Sequence, residues 1–178
     1  MPQVWACSQD ESNRRVHAFF GSRHFAGGIE PIPGAAPALA RLRREAGVDL
    51  VVVTSRQHVI RDQTLEWLAA HFPGAFSSVH FGNHWALEGA ARSKSEICAD
   101  VGAAVLVDDN PHYALECAGA GVAVLLYDWE LQYPWAKTPE GPSHPLITRV
   151  KDWGEVEAAV GAMAAQHAAR HAAQAAAR

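Results

Sequence analysis

Four short runs of apolar residues recur along the chain, separated by stretches with helical start and stop signals. Their almost continuous apolar character is typical of strands that are buried on both faces of a parallel sheet. The runs predict strands over residues 50–54, 78–81, 104–108 and 122–127. Because a helical stretch separates each run from the next, the pattern predicts an α/β fold, a parallel sheet with helices on both faces.

Helix signals lie between these runs. Helices are predicted over residues 14–20, 34–44, 59–71, 93–101 and 111–118, and from residue 152 onward. Ser93 and Glu96 have the spacing of a capping box at the start of one helix. Asn110 supplies an N-cap for the next helix, and Pro111 fits its first turn.

The chain of 178 residues is most simply a single domain. We expect an α/β domain over residues 1–157 and an Ala-rich tail over residues 158–178, either helical or disordered. The tail favours helix by propensity. From about Ala164, however, it offers no apolar stripe that could dock on the domain.

A proline-rich segment follows the last predicted strand. Residues 133–145 contain four prolines and predict a surface excursion rather than a packed element. Trp129, Tyr133 and Trp135 lie in or beside this segment. Simple packing is the ordinary role of such aromatic residues, and covering a cleft is the alternative.

The composition argues against several classes of protein. The formal net charge of -4 gives no general attraction for nucleic acids or membrane surfaces. No apolar run approaches membrane-spanning length, and three scattered cysteines supply neither a disulfide framework nor a zinc knuckle. His80 and His84 lie around a strand end and a turn, so a zinc site is not favoured. We expect a cytoplasmic protein, with an organelle address left open.

Two adjacent carboxylates mark the most informative strand end. Asp108 and Asp109 follow the run AVLV directly and precede a helix start. Open α/β sheets bind their ligands at the carboxyl ends of the strands. Neighbouring carboxylates repel each other unless a cation or a proton lies between them. The alternative is an ordinary helix-capping turn, because Asp and Asn are common turn residues.

Two further polar positions are predicted at the same edge of the sheet. Thr54 and Ser55 end another apolar run, and Lys94 lies in the first turn of a predicted helix. A cation in the first turn is unfavourable because of the helix dipole, which suggests a functional role for the Lys94 ammonium. The alternative is an ordinary surface lysine that is solvated. Hydroxyl, ammonium and paired carboxylate groups together are what magnesium-assisted phosphoryl transfer requires.

The order Thr/Ser, then Lys, then Asp-Asp resembles motifs two, three and four of the haloacid dehalogenase superfamily of phosphatases. VVVTSR resembles the second motif, RSKSEIC carries the third-motif lysine, and VLVDDN resembles the fourth. Within that superfamily, the segments PIPGA, TSRQ, TLEWL, HFPG, HFGNH, KSEIC and VDDNP together resemble the 5′(3′)-deoxyribonucleotidase-like group. The similarity extends from about residue 14 to about residue 153.

This resemblance implies a Rossmann-like core, Mg²⁺ as cofactor, and attack by an aspartate on a phosphomonoester of the nucleoside monophosphate class. It implies the following roles: Thr54 binds phosphate, Ser55 and Arg56 touch phosphate or substrate, Lys94 steadies phosphate and nucleophile, Asp108 holds the metal, and Asp109 supports the metal shell. Lys94 and Asp109 are thereby the candidate catalytic residues.

The chain departs from this group in its first motif. The family's first motif is an apolar strand that ends in Asp-x-Asp, and its first aspartate is the nucleophile. Before residue 30 the acidic residues are Asp10 and Glu11, inside the polar run SQDESN. We therefore expect the first, central strand to be missing and the domain to be N-terminally incomplete. Each buried backbone group left unpaired would cost roughly 1–3 kcal/mol.

Three functions compete on these observations. The first is a magnesium-dependent, 5′-nucleotidase-like phosphohydrolase that is inactive as this chain. The second is a non-catalytic domain that binds a phosphorylated ligand or another protein. The third, a phosphorylation-receiver domain, places its acidic pair before the Thr and Lys, so the order here argues against it. The oligomeric state is left open.

Overall fold

The computed structural model describes residues 6–26, 28–136 and 143–176, and places five parallel strands there. The first sheet pairs β1 (Val51–Thr54) with β2 (Ser78–Phe81). The second sheet contains β3 (Val105–Asp108), β4 (Ala123–Tyr127) and β5 (Ile147–Val150), in that order. The α/β class and the parallel arrangement are therefore as predicted, but the strands form two small sheets rather than one.

Seven helices of the described ranges surround the sheets. They are α1 (Gln9–Phe20), α2 (Arg23–Ala26), α3 (Ala35–Glu45), α4 (Arg61–His71), α5 (Lys94–Asp100), α6 (Pro111–Gly119) and α7 (Trp153–Ala176). Short 3₁₀ turns cover His58–Ile60, Trp129–Leu131 and Pro134–Ala136. The capping box of Ser93 and Glu96 forms in both directions, and the Asn110 side chain caps α6 as predicted.

Two apolar clusters fill opposite faces of the three-stranded sheet. The first contains Cys98, Leu106, Ala114, Cys117, Ala118, Val122, Val124 and Leu126. The second contains Leu42, Leu125, Tyr127, Val150, Val156 and Val160. Consecutive residues of β4 thus point to opposite faces, as the pleat of a strand requires. Helices α5 and α6 cover one face, and α3 and α7 cover the other.

The strand β5 was not predicted from the sequence. Its residues Thr148 and Arg149 are exposed, and only one of its four residues is buried. An edge strand of this kind carries no continuous apolar run, which was the signal used for the other strands. It follows the proline-rich excursion, of which residues 137–142 lie outside the described ranges.

Helix α7 continues without a break across the predicted boundary between residues 157 and 158. Val156 and Val160 are buried against the core, and Arg41 of α3 forms a bidentate ion pair with Glu157, at 2.6 and 2.7 Å. From residue 165 to residue 175 the helix is exposed. The division into a domain and a tail stays a prediction.

Candidate functional site

The carboxyl ends of β1, β2 and β3 meet at one edge of the molecule. The Gly82 N–H, just after β2, donates to the carbonyl of Thr54 at 2.7 Å. The Arg92 N–H donates to the Gly82 carbonyl at 2.8 Å, and two residues later Lys94 is ion-paired with Asp108. The predicted placement of Thr54 and Asp108 at the same edge is therefore found in the structure.

Lys94 is buried rather than solvated. It is only 7% exposed, and its Nζ is paired with Oδ2 of Asp108, which is also 7% exposed. The first turn of α5 disfavours a cation, since the exposed N–H groups of a helix start are themselves positive. The Asp108 carboxylate balances the ammonium at this position, which is the reason this placement is tolerated.

An aromatic ring also supports the Lys94 ammonium. The Nζ lies 4.6 Å from the centre of the Tyr113 ring, within the range of a cation–π interaction. The Tyr113 hydroxyl lies 2.7 Å from Nδ1 of His84, whose Nε2 lies 2.7 Å from the Arg92 carbonyl. Because a carbonyl only accepts, Nε2 carries the proton, and in the neutral ring Nδ1 accepts from the Tyr113 hydroxyl.

The two histidines that were weighed as a zinc pair have different partners. His84 is held by Tyr113 and Arg92, whereas Nε2 of His80 lies 2.9 Å from the Ser78 hydroxyl. In the described ranges no group of three His, Cys, Asp or Glu side chains is arranged to hold a metal ion. Each of the two histidine rings is thus hydrogen-bonded to its own neighbours, His80 to Ser78 and His84 to Tyr113 and Arg92.

The same local turn follows β1 and β3. The Thr54 Oγ1 accepts a hydrogen bond from the Arg56 N–H at 3.2 Å, and Oδ1 of Asp108 accepts from the Asn110 N–H at 2.9 Å. Such side chain to backbone bonds stabilise the turn that ends each strand. Since the Thr54 oxygen acts there as an acceptor, its hydroxyl proton remains available for a ligand oxygen.

Arg56 is a partly buried cation beside Thr54. Its Nη1 donates to Oγ1 of Thr64 at 3.1 Å, and burial lowers the pKa of Arg56. Within the described part of the chain it forms no ion pair. Ser55 is anchored by its carbonyl, which accepts from the His84 N–H at 3.1 Å. An anion would compensate the Arg56 charge.

Asp109 is the less balanced of the two adjacent carboxylates. Burial first, and then the charge of Asp108, raises the pKa of Asp109. Its Oδ2 accepts a hydrogen bond from Nε1 of Trp135 at 2.9 Å. Mg²⁺ is bound through oxygen, commonly by one or two carboxylates together with waters and substrate phosphate. The donor chemistry of this pair fits that ion.

A slot separates the two sheets. β1 and β3 each pair with a strand on one edge only, as far as the described residues show. Both strands line one cavity of about 590 Å³, with apolar side chains that include Val51, Val53, Val105 and Val107. Trp153 also lines this cavity, and its buried Nε1 has no hydrogen-bond partner among the described residues. A strand placed in the slot would pair with both edges.

The early acidic residues do not lie at the end of a strand. Asp10 and Glu11 are in the first turn of α1, which is capped by the Ser8 side chain. Glu11 forms ion pairs with Arg14 at 3.0 Å and with Arg15 at 2.9 Å. Both carboxylates therefore belong to the start of a helix, where Glu11 is engaged in surface ion pairs.

The comparison with protein families decides the identity at family level. A family model described as "5' nucleotidase, deoxy (Pyrimidine), cytosolic type C protein" matches residues 2–167. The chain belongs to this family. The predicted resemblance to the deoxyribonucleotidase-like group of the haloacid dehalogenase superfamily is thereby confirmed. No curated protein and no solved structure matches the chain.

Three further residues contact the candidate site: Tyr113 was not singled out from the sequence, His84 was weighed only as a zinc ligand, and Trp135 was named only as an alternative cover for a cleft. Tyr113 lies against the Lys94 ammonium, His84 is hydrogen-bonded to Tyr113, and Trp135 contacts Asp109. The position of Tyr113 in the first turn after the Asp-Asp pair was the available signal. His84 and Trp135 are brought to the site by contacts across 29 and 26 residues of sequence, which no local pattern shows.

None of the helices in the described ranges combines the length and the apolar character that crossing a bilayer would require.

Proposed function

We propose that the protein is a magnesium-dependent, 5′-nucleotidase-like phosphohydrolase for nucleoside monophosphates that is inactive as this 178-residue chain, because the nucleophilic aspartate is lacking among the described residues. One observation carries the proposal: the buried Lys94–Asp108 pair lies at the same edge of the fold as Thr54, in a chain of the nucleotidase family. A buried ammonium and a free hydroxyl proton are suited to a dianionic phosphate.

The phosphate would be held from two sides. The Thr54 hydroxyl donates to one phosphate oxygen, and the Arg56 guanidinium, which lacks an anionic partner in the described ranges, adds a compensating charge nearby. Ser55 lies between them in sequence and adds a second hydroxyl. On the other side, Lys94 neutralises the charge that grows on the transferred group. Tyr113 acts as a positioning residue for that ammonium.

Asp108 and Asp109 would hold Mg²⁺. After burial, the charge of Asp108 is the second cause that raises the pKa of Asp109, and a cation bound between the two carboxylates would relieve this repulsion. The metal supplies charge neutralisation at the phosphate oxygens. We expect weak Mg²⁺ binding by this chain alone, because the donor set that the described residues supply contains no carboxylate from an Asp-x-Asp strand. Asp109 would support the metal shell as the second carboxylate.

The nucleophile is the part of the machinery that the described residues do not supply. Thr54 and Lys94 would orient and neutralise a phosphate and Asp108 would hold the metal, but by resemblance to the family none of them accepts the phosphoryl group. We propose that a strand ending in Asp-x-Asp occupies the slot between β1 and β3. The unpaired strand edges, the apolar cavity and the unpartnered Trp153 indole support this proposal.

Turnover tests this function directly. The 178-residue chain should release no phosphate above background from deoxyribonucleoside monophosphates with Mg²⁺. The same chain extended at its N-terminus by an apolar strand ending in Asp-x-Asp should turn over. The matched control replaces the first of those aspartates by Asn, which should abolish turnover without disturbing the strand.

Two results would overturn the proposal. Robust turnover by the 178-residue chain, lost in Lys94→Ala, would show that the nucleophile lies elsewhere. An extended chain that folds, binds phosphate and stays inactive would favour the second candidate, a non-catalytic domain that binds phosphorylated ligands or another protein. That candidate is favoured by one observation, the lack of an Asp-x-Asp strand in the described residues.

We also propose that the protein acts in the cytoplasm on soluble nucleoside monophosphates. The family description supports this, since it names a cytosolic type.

A further inference from the structure

An aromatic pair lies beside the proposed metal carboxylates. The rings of Tyr133 and Trp135 stack with their centres 4.4 Å apart and their planes 23° apart. The Trp135 indole N–H donates to Oδ2 of Asp109 at 2.9 Å. Although it is stacked and hydrogen-bonded, Trp135 is still 53% exposed. A large apolar side chain is therefore presented to solvent at the edge of the site.

The backbone under this pair is fixed from below. Asp128 is 1% exposed, and its Oδ1 accepts from the Tyr133 N–H at 2.9 Å. Its Oδ2 is ion-paired with Arg149 at 2.7 Å, and Nη2 of Arg149 donates to the Ala136 carbonyl at 2.9 Å. These bonds hold residues 133–136 in place relative to β4 and β5. Trp135 is thus exposed on a segment whose backbone is held in place by hydrogen bonds.

We infer that Trp135 forms a stacking site for the nucleobase of the substrate, an inference that rests on the proposed nucleotidase function. One face of the indole lies on Tyr133 and its N–H edge points to Asp109, so the exposed area includes the opposite face. In a nucleoside monophosphate a single pentose separates the phosphate from the base. Lys94, which would bind the phosphate, is paired with Asp108, and Trp135 contacts the neighbouring Asp109, so a phosphate held at Lys94 brings the base to the neighbourhood of this ring.

Stacking on an indole face discriminates by ring shape rather than by hydrogen-bond pattern. Because every base has a π-face, stacking on Trp135 would favour a nucleotide over a sugar phosphate. It would discriminate only weakly between one base and another. The Trp135 N–H bond to Asp109 couples the same side chain to the carboxylate pair. Two effects of a Trp135 substitution must therefore be separated, one on the metal carboxylate and one on the base.

A pair of ligands separates these effects. The dissociation constants of thymidine 5′-monophosphate and of 2-deoxyribose 5-phosphate are measured by calorimetry with the 178-residue chain and Mg²⁺. Both carry the phosphate and the sugar, so their ratio reports the base alone. We expect the nucleotide to bind on the order of tenfold more tightly, from the usual strength of base–aromatic stacking.

Three variants complete the test. Trp135→Leu should bring the ratio close to one, and Trp135→Phe, which keeps an aromatic face but loses the N–H, should retain part of it. Trp85→Leu is the matched control, because Trp85 is 63% exposed and makes neither the stacking nor the carboxylate contact of Trp135. It should leave the ratio unchanged.

The outcomes distinguish this inference from the function on which it rests. Equal affinity of the wild-type chain for both ligands would overturn the stacking site and leave the phosphate site standing. A ratio that persists in Trp135→Leu would likewise overturn it, because the base would then be bound elsewhere. Binding of neither ligand would contradict the proposed function itself, and the stacking site with it.

Discussion

At the scale of single residues, the two adjacent carboxylates after β3 differ in what balances their charge. Asp108 faces the Lys94 ammonium and accepts from the Asn110 N–H. Asp109 accepts from the Trp135 indole and forms no ion pair in the described structure. Burial and the Asp108 charge therefore raise the pKa of Asp109. This unbalanced charge is the physical reason for proposing magnesium at the pair.

Neutralising Asp109 and neutralising Asp108 should change the free energy of unfolding in opposite directions. We expect Asp109→Asn to raise the free energy of unfolding of the metal-free protein only slightly, by about 0.2–0.5 kcal/mol near neutral pH, because the Asp109 side chain is exposed and solvent screens its charge. The amide removes the repulsion and still accepts from Trp135. The matched variant Asp108→Asn should lower it by about 3 kcal/mol, because Lys94 loses its buried partner. Urea unfolding followed by circular dichroism measures both changes.

The pH dependence of this effect has a defined sign. Because the pKa of Asp109 is raised on folding, protonation of this carboxyl favours the folded state. The repulsion in the wild-type protein is thus relieved as the pH falls from neutrality through the raised pKa, and the advantage of Asp109→Asn should shrink. An advantage that grows on acidification would contradict the unbalanced carboxylate.

At the scale of elements, the connection between β2 and α5 carries Lys94 to its place. The segment is tied to the end of β1 through Thr54 and Ser55, and His84 joins it to Tyr113 on α6. Gly82 lies where these contacts converge. A Cβ at Gly82 would lie 2.8 Å from Nε2 of His84 and 2.9 Å from the Arg92 carbonyl.

We therefore expect Gly82→Ala to displace the His84 ring and the Arg92 backbone, and to lower the free energy of unfolding by about 1–3 kcal/mol. Gly119→Ala is the matched control, because no atom outside its own helix surroundings lies within 4 Å of the added Cβ and its φ is not positive. That variant should be neutral or slightly stabilising. Equal stability of the two alanine variants in urea unfolding would refute the close packing at Gly82.

At the scale of the whole molecule, the four predicted strands lie within one residue of the observed ones because each is an almost continuous apolar run. Thr54 and Asp108 were predicted at one edge because each ends such a run, and Lys94 was predicted there because a capping box starts its helix. The edge strand β5 lacks such a run, and the split into two sheets depends on non-local pairing. His84 and Trp135 reach the site only through tertiary contacts, so local patterns did not predict them.

We propose that the two sheets are the two halves of a single sheet that is open between β1 and β3. Backbone groups on these inner edges have no strand partner in the described ranges, whereas β4 is paired on both sides. Amide hydrogen exchange protection follows such pairing, since unpaired strand edges open at low free energy. A strand in the slot would complete both the sheet and the proposed phosphohydrolase site.

Native-state hydrogen exchange, compared between the 178-residue chain and the chain extended by an apolar Asp-x-Asp strand, tests that claim most directly. We expect the amides of β1 and β3 to exchange faster than those of β4 in the shorter chain. They should become at least tenfold more protected on extension, which corresponds to about 1.4 kcal/mol. Protection of β1 and β3 that already equals that of β4, and that does not change on extension, would contradict the account.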